Sequence, residues 1–355
     1  NSVTIDGLEG DTDYEFTVKA TCDSENTVAS EAGIFTTYCA AMADNTDFGW
    51  IEEVRLNQLN NLSGNDGGYG DYLTQNTTVL VGIPYELQLV PGFENFAANQ
   101  YWKVWADLNR DGSFEEESEL LFASENPSQE ALAVSLQLAD EVSEGMAVLR
   151  VAMQFDEPIA DACSAFNYGE VEDYTIDIKK YCVGSGSSSN WEWIAGVAVG
   201  DFVNESSGDN GVGDYTDQII ELTAGETYPI ALTPGFSGTP YEEYWRIWID
   251  LNGDGVFEES ELLFDAGQLS ETVVNGEITI PDWATNTYTK MRVAMKYGNA
   301  AEVCEIYGDG EVEEYTVRLQ TTEARLQLKV LLQGAFDAET GLMSNDLLQR
   351  NLIPL

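Results

Sequence analysis

Internal repetition is the feature that most constrains how this chain can fold. Landmarks recur along the chain with a constant displacement of 143 residues. The first copies are Cys39, Trp50-Ile51, Gly70-Asp71-Tyr72, Pro91-Gly92-Phe93 and Asp107, and the second copies are Cys182, Trp193-Ile194, Gly213-Asp214-Tyr215, Pro234-Gly235-Phe236 and Asp250. A long period that is kept in register indicates two copies of one folded unit. We therefore predict tandem domains over residues 39–179 and 181–320.

Each repeat alternates short β-type runs with clusters of turn residues, and neither contains a long amphipathic helical pattern. This predicts an all-β fold of tandem antiparallel β-sandwich domains with partial flanking domains. In one such run, Tyr101, Lys103 and Trp105 share one face. Trp102 and Val104 share the other face. Because both faces carry large rings, we expect this strand to be covered on both sides.

The two ends of the chain lie outside the repeat. Residues 1–37 alternate apolar and polar side chains, which predicts short antiparallel strands. Residues 321–355 are interpreted as the start of a further domain, with Arg325 to Leu332 as a strand and Met343 to Leu352 as a short helix. We expect the chain to be a segment of a longer protein with flanking domains. The tract Gly184 to Ser189 is interpreted as a surface loop.

The charge balance excludes several classes of partner. Asp and Glu number 63 against 15 Lys and Arg, which gives a formal net charge of −48. A nucleic acid or an anionic membrane would be repelled by such a chain. Cations are its natural counterparts. Solubility explains most of the acids, so we consider only those clustered with loop glycines as candidate cation ligands.

Histidine is absent, which removes the commonest general base and the Ser-His-Asp and Cys-His arrangements. Most zinc and copper sites are disfavoured for the same reason. We therefore expect that the chain is not an enzyme. It contains no run of 18 apolar residues, so we also expect no direct membrane insertion.

The second copy of an acidic loop matches the ligand plan of a twelve-residue calcium loop. Asp250, Asn252 and Asp254 fall at positions 1, 3 and 5, and Gly255 falls at position 6. Val256 offers its backbone carbonyl at position 7, and Glu261 falls at position 12. Carboxylate, amide and carbonyl oxygens at this spacing suit a hard cation, so we predict Ca2+ as the cofactor. The alternative is an Asx-rich turn solvated by water.

The first copy of the loop is less regular. Asp107, Asn109, Asp111 and Ser113 occupy positions 1, 3, 5 and 7. One inserted residue moves Glu119 to position 13, so either a small bulge restores Glu119 as a ligand or Glu117 replaces it. We predict a second calcium site here, bound through these residues.

The repeat also predicts how the cysteines pair. Cys39 and Cys163 stand where Cys182 and Cys304 stand in the second copy, which predicts the bonds Cys39–Cys163 and Cys182–Cys304. In the chain-entropy model each bond would stabilise its domain by roughly 4 kcal/mol. Cys22 is left over, and we expect its partner upstream of residue 1. The alternative of five free thiols is disfavoured because the positions repeat as pairs.

A strand near the end of each repeat carries three acids. Glu170 and Glu172 project to one face and Asp173 to the other. Burying these acids unpaired would be costly. Three interpretations stay open: a salt bridge to Arg150 (Arg292 in the second repeat), a second cation shared with Asp71 (Asp214 and Glu311 in the second repeat), or simple exposure.

Four tryptophans, Trp102, Trp105, Trp245 and Trp248, could form a platform for sugar rings or could pack in the core. Their repeated strand positions favour core packing.

The motif Gly-Glu-Val-Glu-Asp-Tyr at residues 169–174 closely resembles the signature of the GEVED domain, a β-sandwich module of secreted Bacteroidetes proteins. The acidic loops, the Arg-Val-x-Met strands and the cysteine before each final strand also stand where that family has them. The second repeat departs from the signature at Glu314. Residues 1–37 resemble the last strands of a fibronectin type III domain, where a tyrosine occupies a corner between strands.

These resemblances imply export and a multidomain context without a catalytic role. The expected function is therefore a calcium-stabilised structural or adhesive segment, an adhesin or stalk, of a large secreted or cell-surface bacterial protein. Its partners would be calcium and a cell-surface glycan or protein ligand. The alternatives are a carbohydrate-binding module and an accessory region of a secreted peptidase.

Overall fold

The computed structural model describes residues 12–22, 26–29, 33–114, 116–321, 336–337 and 342–343. The chain divides into two compact units, Asn1–Thr321 and Thr322–Leu355. In the first unit, four short strands precede the repeats: β1 (Asp13–Phe16), β2 (Lys19–Cys22), β3 (Asn26–Ala29) and β4 (Gly33–Thr36). Strand β1 pairs with β4, and β2 pairs with β3, both antiparallel.

The first repeat contains ten strands and one short helix. They are β5 (Ala43–Asn45), β6 (Trp50–Leu56), β7 (Leu59–Asn61), β8 (Tyr69–Leu80), β9 (Tyr85–Gly92), β10 (Gln100–Ala106), α1 (Glu116–Glu119), β11 (Leu120–Ala123), β12 (Leu132–Leu136), β13 (Gly145–Phe155) and β14 (Phe166–Lys179). The larger sheet has the order β11-β10-β13-β14, with β5 and β8 both paired to the outer edge of β14. The smaller sheet has the order β12-β9-β6-β7.

The second repeat has the same topology. Its strands are β15 (Ser185–Ser188), β16 (Glu192–Val199), β17 (Phe202–Glu205), β18 (Val212–Thr223), β19 (Thr227–Phe236), β20 (Glu243–Ile249), β21 (Leu262–Asp265), β22 (Val274–Thr279), β23 (Thr287–Tyr297) and β24 (Ile306–Gln320), with a 3-10 helix at Glu259–Glu261. The larger sheet is β21-β20-β23-β24, with β15 and β18 on the edge of β24, and the smaller one is β17-β16-β19-β22. The predicted all-β fold is confirmed.

One edge of each larger sheet departs from the expected antiparallel pairing. Strands β5 and β8 run parallel to β14, and β15 and β18 run parallel to β24. Parallel partners need a long connection, and here most of a domain lies between them. The last strand of each repeat is therefore hydrogen-bonded to strands from the start of the same repeat, which closes the domain.

The larger sheet is covered on both faces, as expected from the alternation in β10. Trp102 and Val104 are fully buried between the two sheets. On the opposite face, Trp105 packs in a second, smaller core with Phe114 and Val171. All four strand tryptophans are buried, with Trp248 the most exposed at 4%. Core packing is therefore confirmed, and these rings form no sugar platform.

Both predicted disulfides are present. Cys39 bonds Cys163 with their Cα atoms 5.4 Å apart, and Cys182 bonds Cys304 with their Cα atoms 5.5 Å apart. Each bond ties the segment before the first strand of a repeat to the loop before its last strand. The bonds therefore hold together the segments that cover the face of each larger sheet opposite the smaller sheet.

The predicted surface loop at Gly184 to Ser189 is wrong, because Ser185–Ser188 is strand β15 and pairs in parallel with β24. A Cβ atom on Gly186 would lie 2.0 Å from the carbonyl oxygen of Gly310. The small residues of this tract are therefore required for the close approach of two backbones.

The two repeats contact each other directly. The ring centroids of Tyr85 and Tyr288 lie 6.2 Å apart, and the hydroxyl of Thr287 donates to Oδ1 of Asn57 at 2.7 Å. The side chain of Tyr181, which lies between the repeats, packs on Phe257 of the second acidic loop. The second acidic loop is thus placed beside the junction of the two domains.

The unit Thr322–Leu355 contains two described strands, β25 (Phe336–Asp337) and β26 (Leu342–Met343), which pair antiparallel. The strand predicted over Arg325 to Leu332 lies outside the described residues, as does the predicted helix after Met343. Among the described residues, the two helical segments are four and three residues long, so neither could span a bilayer.

Candidate metal centres

The second acidic loop follows β20 directly and begins with a fully buried aspartate. The backbone N–H groups of Gly253 and Gly255 donate to Oδ1 and Oδ2 of Asp250 at 2.7 and 2.9 Å. Both glycines have positive φ, 72° and 85°, which lets the backbone turn tightly around the carboxylate. Burial raises the pKa of Asp250, and the charge of Asp254 raises it further. The fold therefore holds this carboxylate in place at an energetic cost.

The side chains of the next two predicted ligands, Asn252 and Asp254, are hydrogen-bonded to each other. Nδ2 of Asn252 donates to Oδ2 of Asp254 at 2.9 Å, and the N–H of Asp254 donates to Oδ1 of Asn252 at 2.9 Å. The N–H of Val256 donates to Oδ1 of Asp254, also at 2.9 Å. The side chain of Val256 is exposed and carries no oxygen atom, so only its backbone carbonyl could be a ligand.

Glu261 closes the loop from the 3-10 helix that follows it. Its side chain is fully buried, and its carboxylate accepts hydrogen bonds from the N–H groups of Leu251 and Glu258 at 2.7 and 2.9 Å. Burial raises its pKa to about 8, and the charge of Asp250 contributes. Among the described residues, neither Asp250 nor Glu261 has an ion pair with Lys or Arg. These two neighbouring buried acids have no basic partner, so a bound cation would stabilise their ionised forms.

The first acidic loop repeats this arrangement. Oδ1 and Oδ2 of Asp107 accept hydrogen bonds from the N–H groups of Asp111 and Gly112, each at 3.1 Å. Asn109 binds Asp111 as Asn252 binds Asp254. The N–H and hydroxyl of Ser113 donate to Oδ1 of Asp111 at 2.8 and 2.7 Å, which lowers the pKa of that aspartate.

The inserted residue of the first loop is accommodated without loss of the closing glutamate. Glu119 is 1% exposed, and one of its oxygens accepts a hydrogen bond from the N–H of Asn109 at 3.1 Å. Glu117, the alternative ligand, is exposed. The exposed side chain of Arg110 donates hydrogen bonds to the carbonyl oxygens of Ser143 and Met146. Of the two glutamates, the geometry therefore favours Glu119.

Among the described residues of either loop, no three carboxylates lie within 4.8 Å of one another. Their oxygens are held by backbone N–H groups of the loop. A calcium ion would have to be bound by a mixed set of carboxylate, amide and carbonyl oxygens, which is the ordinary composition of such sites.

One group of three carboxylates in the described part of the chain does meet that distance: Asp66, Glu170 and Glu172. Glu170 accepts hydrogen bonds from the N–H groups of Ile51 and Asp66, each at 2.8 Å. Oε2 of Glu172 accepts from the hydroxyl of Tyr174 at 2.6 Å, whereas Oε1 is buried without a partner. Burial raises the pKa values of Glu170 and Glu172 to about 7 and about 8.

The three interpretations of the strand acids can now be separated. Exposure is wrong, because Glu170 and Glu172 are fully buried. The salt bridge exists, but it joins Arg150 to Asp173 on the opposite face, with Nη2 and Oδ2 2.7 Å apart. Asp71 pairs in register with Asp173 and is exposed, so its side chain does not face Glu170.

The second repeat keeps the same pattern. Arg292 binds Glu314, which stands where the first repeat has Asp173. Glu311 accepts hydrogen bonds from the N–H groups of Ile194 and Asp209 at 2.9 and 2.6 Å, and Asp214 again lies in register with Glu314. The second cation expected between Asp214 and Glu311 therefore has no support in the geometry.

Sequence reasoning missed the aspartate that does approach the buried glutamates. It is Asp66 in the first repeat and Asp209 in the second, and each accepts a hydrogen bond from a tyrosine hydroxyl at 2.7 Å. The available signal was its recurrence with the displacement of 143 residues inside a glycine-rich turn.

The model of the GEVED domain family matches two segments of the chain, residues 101–177 and 244–318. The two matches cover equivalent parts of the two repeats, including the acidic loop, the arginine strand and the strand with three acids. The chain therefore carries two tandem segments that match the GEVED domain family, as the sequence motif indicated. A search of curated proteins finds no match to the chain.

Proposed function

We propose that this chain is a calcium-stabilised structural or adhesive segment of a large secreted or cell-surface bacterial protein, in which the loops 107–119 and 250–261 each bind one Ca2+. The observation that carries this proposal is the pair of buried acids Asp250 and Glu261, which lie close together without a basic partner. A divalent cation would neutralise them, whereas burial alone makes their ionisation unfavourable.

The position of the loops supports a bracing role. Each loop joins the two strands at one edge of the larger sheet, β10 to β11 and β20 to β21. A cation bound there would tie the start of the loop to the helical turn at its end. The second loop also contacts Tyr181 at the junction of the domains, so an ion in that loop would stiffen the junction. A stiff junction suits a stalk that bears mechanical force or that holds other domains at a fixed distance.

An extracellular location is supported by the two disulfides, since such bonds persist in oxidising compartments. The GEVED matches are compatible with an extracellular structural role. We extend the proposal to a Bacteroidetes surface protein in which a fibronectin type III domain precedes the first sandwich. No catalytic step is assigned to the chain.

The test is thermal unfolding of the full chain in chelator, in Ca2+ and in Mg2+. At 100 times its dissociation constant, a ligand adds about 2.7 kcal/mol of stability for each site. We expect the unfolding midpoint to fall in chelator and to recover in Ca2+, with a smaller recovery in Mg2+. A midpoint that does not move with Ca2+, together with no calcium binding by calorimetry, would overturn the proposal.

A further inference from the structure

A cavity of about 200 Å3 opens at one end of the second sandwich. Three aromatic side chains line it, Trp191, Tyr241 and Tyr297, together with two acids, Glu192 and Asp309. Trp191 is 60% exposed and Tyr297 is 50% exposed, which is unusual for rings of this size. The volume admits a small ligand group and not a large molecule.

A third acid, Glu243, lies at the same end of the sandwich. It pairs in register with Tyr297 across β20 and β23, so the two side chains share the inner face of the larger sheet. Glu243 is 0% exposed, and neither of its carboxylate oxygens has a hydrogen-bond partner among the described residues. Burial raises its pKa to about 8, and the charges of Glu192 and Asp309 contribute. The buried carboxylate thus faces the two acids of the cavity.

The first repeat lacks this cavity chemistry at the equivalent place. Gly49, Gln100 and Tyr168 stand where the second repeat has Glu192, Glu243 and Asp309. Rings fill the space there, since the ring of Phe48 stacks on that of Phe155 at 4.3 Å and meets that of Tyr168 edge-on at 4.8 Å. Nε2 of Gln100 donates to the carbonyl oxygen of Phe48 at 2.7 Å.

The difference between the repeats is therefore chemical and concentrated at one site. Three positions that are neutral in the first repeat are acidic in the second. The second repeat has the exposed rings of Trp191 and Tyr297 where the first stacks Phe48 on Phe155. Within the described residues, no Lys or Arg forms an ion pair with Glu192, Glu243 or Asp309. Glu192 and Glu243 are buried and Asp309 is exposed, and the burial of two carboxylates without a basic partner points to a cationic ligand.

The aromatic walls select the kind of cation. An alkylammonium group is attracted to the faces of Trp and Tyr rings, and its N–H groups can donate to carboxylates. Calcium would need six to eight oxygen ligands and gains nothing from the rings. A neutral sugar could stack on the rings but would leave the three acids uncompensated.

We propose that this end of the second sandwich binds a primary ammonium group, as carried by a lysine side chain or an amino sugar. Glu192 and Asp309 would accept its hydrogen bonds, and Trp191, Tyr241 and Tyr297 would surround its alkyl part. Glu243, whose ionised form the bound cation would favour, would supply negative charge from beneath.

The test is calorimetric titration of the full chain, held in saturating Ca2+, with n-butylamine hydrochloride and with glucosamine. n-Butanol and glucose are the neutral counterparts. We expect saturable binding of at least one amine and binding at least about tenfold weaker for its neutral counterpart. Tighter binding of butylamine would indicate a lysine-like ligand, and tighter binding of glucosamine would indicate an amino sugar.

Two substitutions restore the residues of the first repeat, Glu243→Gln and Asp309→Tyr, and each should weaken amine binding at least about fivefold. Trp191→Ala should weaken it similarly. Glu242→Gln, which changes the exposed neighbour of Glu243, is the control and should leave affinity unchanged. Unfolding midpoints identify any variant that fails to fold. No amine binding, equal binding of the neutral counterparts, or unchanged affinity in all three folded variants would overturn the proposal.

Discussion

The hydroxyl of Tyr181 donates a hydrogen bond to Oδ2 of Asp250 at 2.8 Å, which links the segment between the two domains to the first ligand position of the second acidic loop. The same hydroxyl accepts a hydrogen bond from the N–H of Lys290 at 3.2 Å. The ring of Tyr181 also stacks on Phe257 at a centroid distance of 4.9 Å. The domain junction and the candidate calcium site therefore share one side chain.

Tyr181→Phe should destabilise the protein by about 1–3 kcal/mol, because the N–H of Lys290 and one oxygen of Asp250 each lose a buried partner. Calcium affinity at this loop should fall about tenfold, since Asp250 loses a group that orients it. The equivalent Tyr38 makes no hydrogen bond with Asp107 in the described structure, so Tyr38→Phe is the control and should change affinity little. Calorimetry and thermal unfolding measure both effects; equal losses in the two variants would contradict the assigned coupling.

Glu261→Gln should remove calcium binding at the second loop, because the amide supplies one oxygen where the carboxylate can supply two. The fold should survive, since the amide oxygen can still accept from one loop N–H. We expect the calcium stoichiometry to fall from two to one, measured by calorimetry. Glu259→Gln changes an exposed residue of the same helical turn and should keep both sites. A stoichiometry of two in Glu261→Gln would show that this residue is not a ligand.

In the first loop, the same experiment decides between two glutamates. Glu119→Gln should remove one calcium ion, because Glu119 is buried beside the loop and its carboxylate accepts a hydrogen bond from the N–H of Asn109. Glu117→Gln should leave binding unchanged, because that side chain is exposed. The reverse result would mean that calcium binding reorganises the loop around the insertion.

The repeat made much of this fold predictable. The repeat predicted both disulfides, because Cys39 and Cys163 of the first copy stand where Cys182 and Cys304 stand in the second. It also placed both acidic loops at the ends of apolar strands. These features depend on residues that lie close together in sequence or recur in register.

Long-range contacts were not predictable in the same way. Strand β15 has a composition typical of a loop, and it forms because Gly186 fits against Gly310 of a strand more than 100 residues away. Asp66 approaches Glu170 across a similar separation, with its N–H donating to that carboxylate. Neither relationship leaves a local pattern, because each depends on the folded pairing of the first strands of a repeat with its last one.

The buried acids of the β14 strand predict a pH dependence of stability. The pKa of Glu172 is about 8 in the folded protein against an ordinary value of 4.5, because of burial and the charges of Glu170 and Asp66. The stabilising effect of its protonated form is complete below about pH 4.5 and is lost as the pH rises through about 8. The hydrogen bond from the hydroxyl of Tyr174 to Glu172 reduces this loss without removing it.

Glu172→Gln should therefore flatten the fall in stability between about pH 5 and pH 8, measured as the urea midpoint in chelator. Glu130→Gln, at an exposed position, is the control and should follow the wild-type curve. If both variants fall as steeply as the wild type, the carboxylate of Glu172 does not titrate in that range.

The buried pair Arg150 and Asp173 yields a prediction that needs no metal. Nε and Nη2 of Arg150 bind the two oxygens of Asp173 at 2.8 and 2.7 Å, and Nη1 donates to the carbonyl oxygens of Cys39 and Ala162 at 3.0 and 2.9 Å. The guanidinium therefore joins β14 to both segments that the first disulfide connects. Arg150→Met should cost about 3–5 kcal/mol, because it leaves a buried aspartate charged and unpaired.

The double variant Arg150→Met, Asp173→Leu should recover part of that loss, because no buried charge remains, while the two carbonyl oxygens still lack their donor. Arg55→Ala breaks an exposed pair with Glu53 and should cost at most about 1 kcal/mol, which sets the scale for a surface interaction. Denaturant unfolding of the wild type, of Arg150→Met and Asp173→Leu singly, and of the double variant measures the coupling. Strictly additive losses in the double variant would mean that the bonds from Arg150 to the carbonyl oxygens of Cys39 and Ala162, and not its pairing with Asp173, account for its contribution to stability.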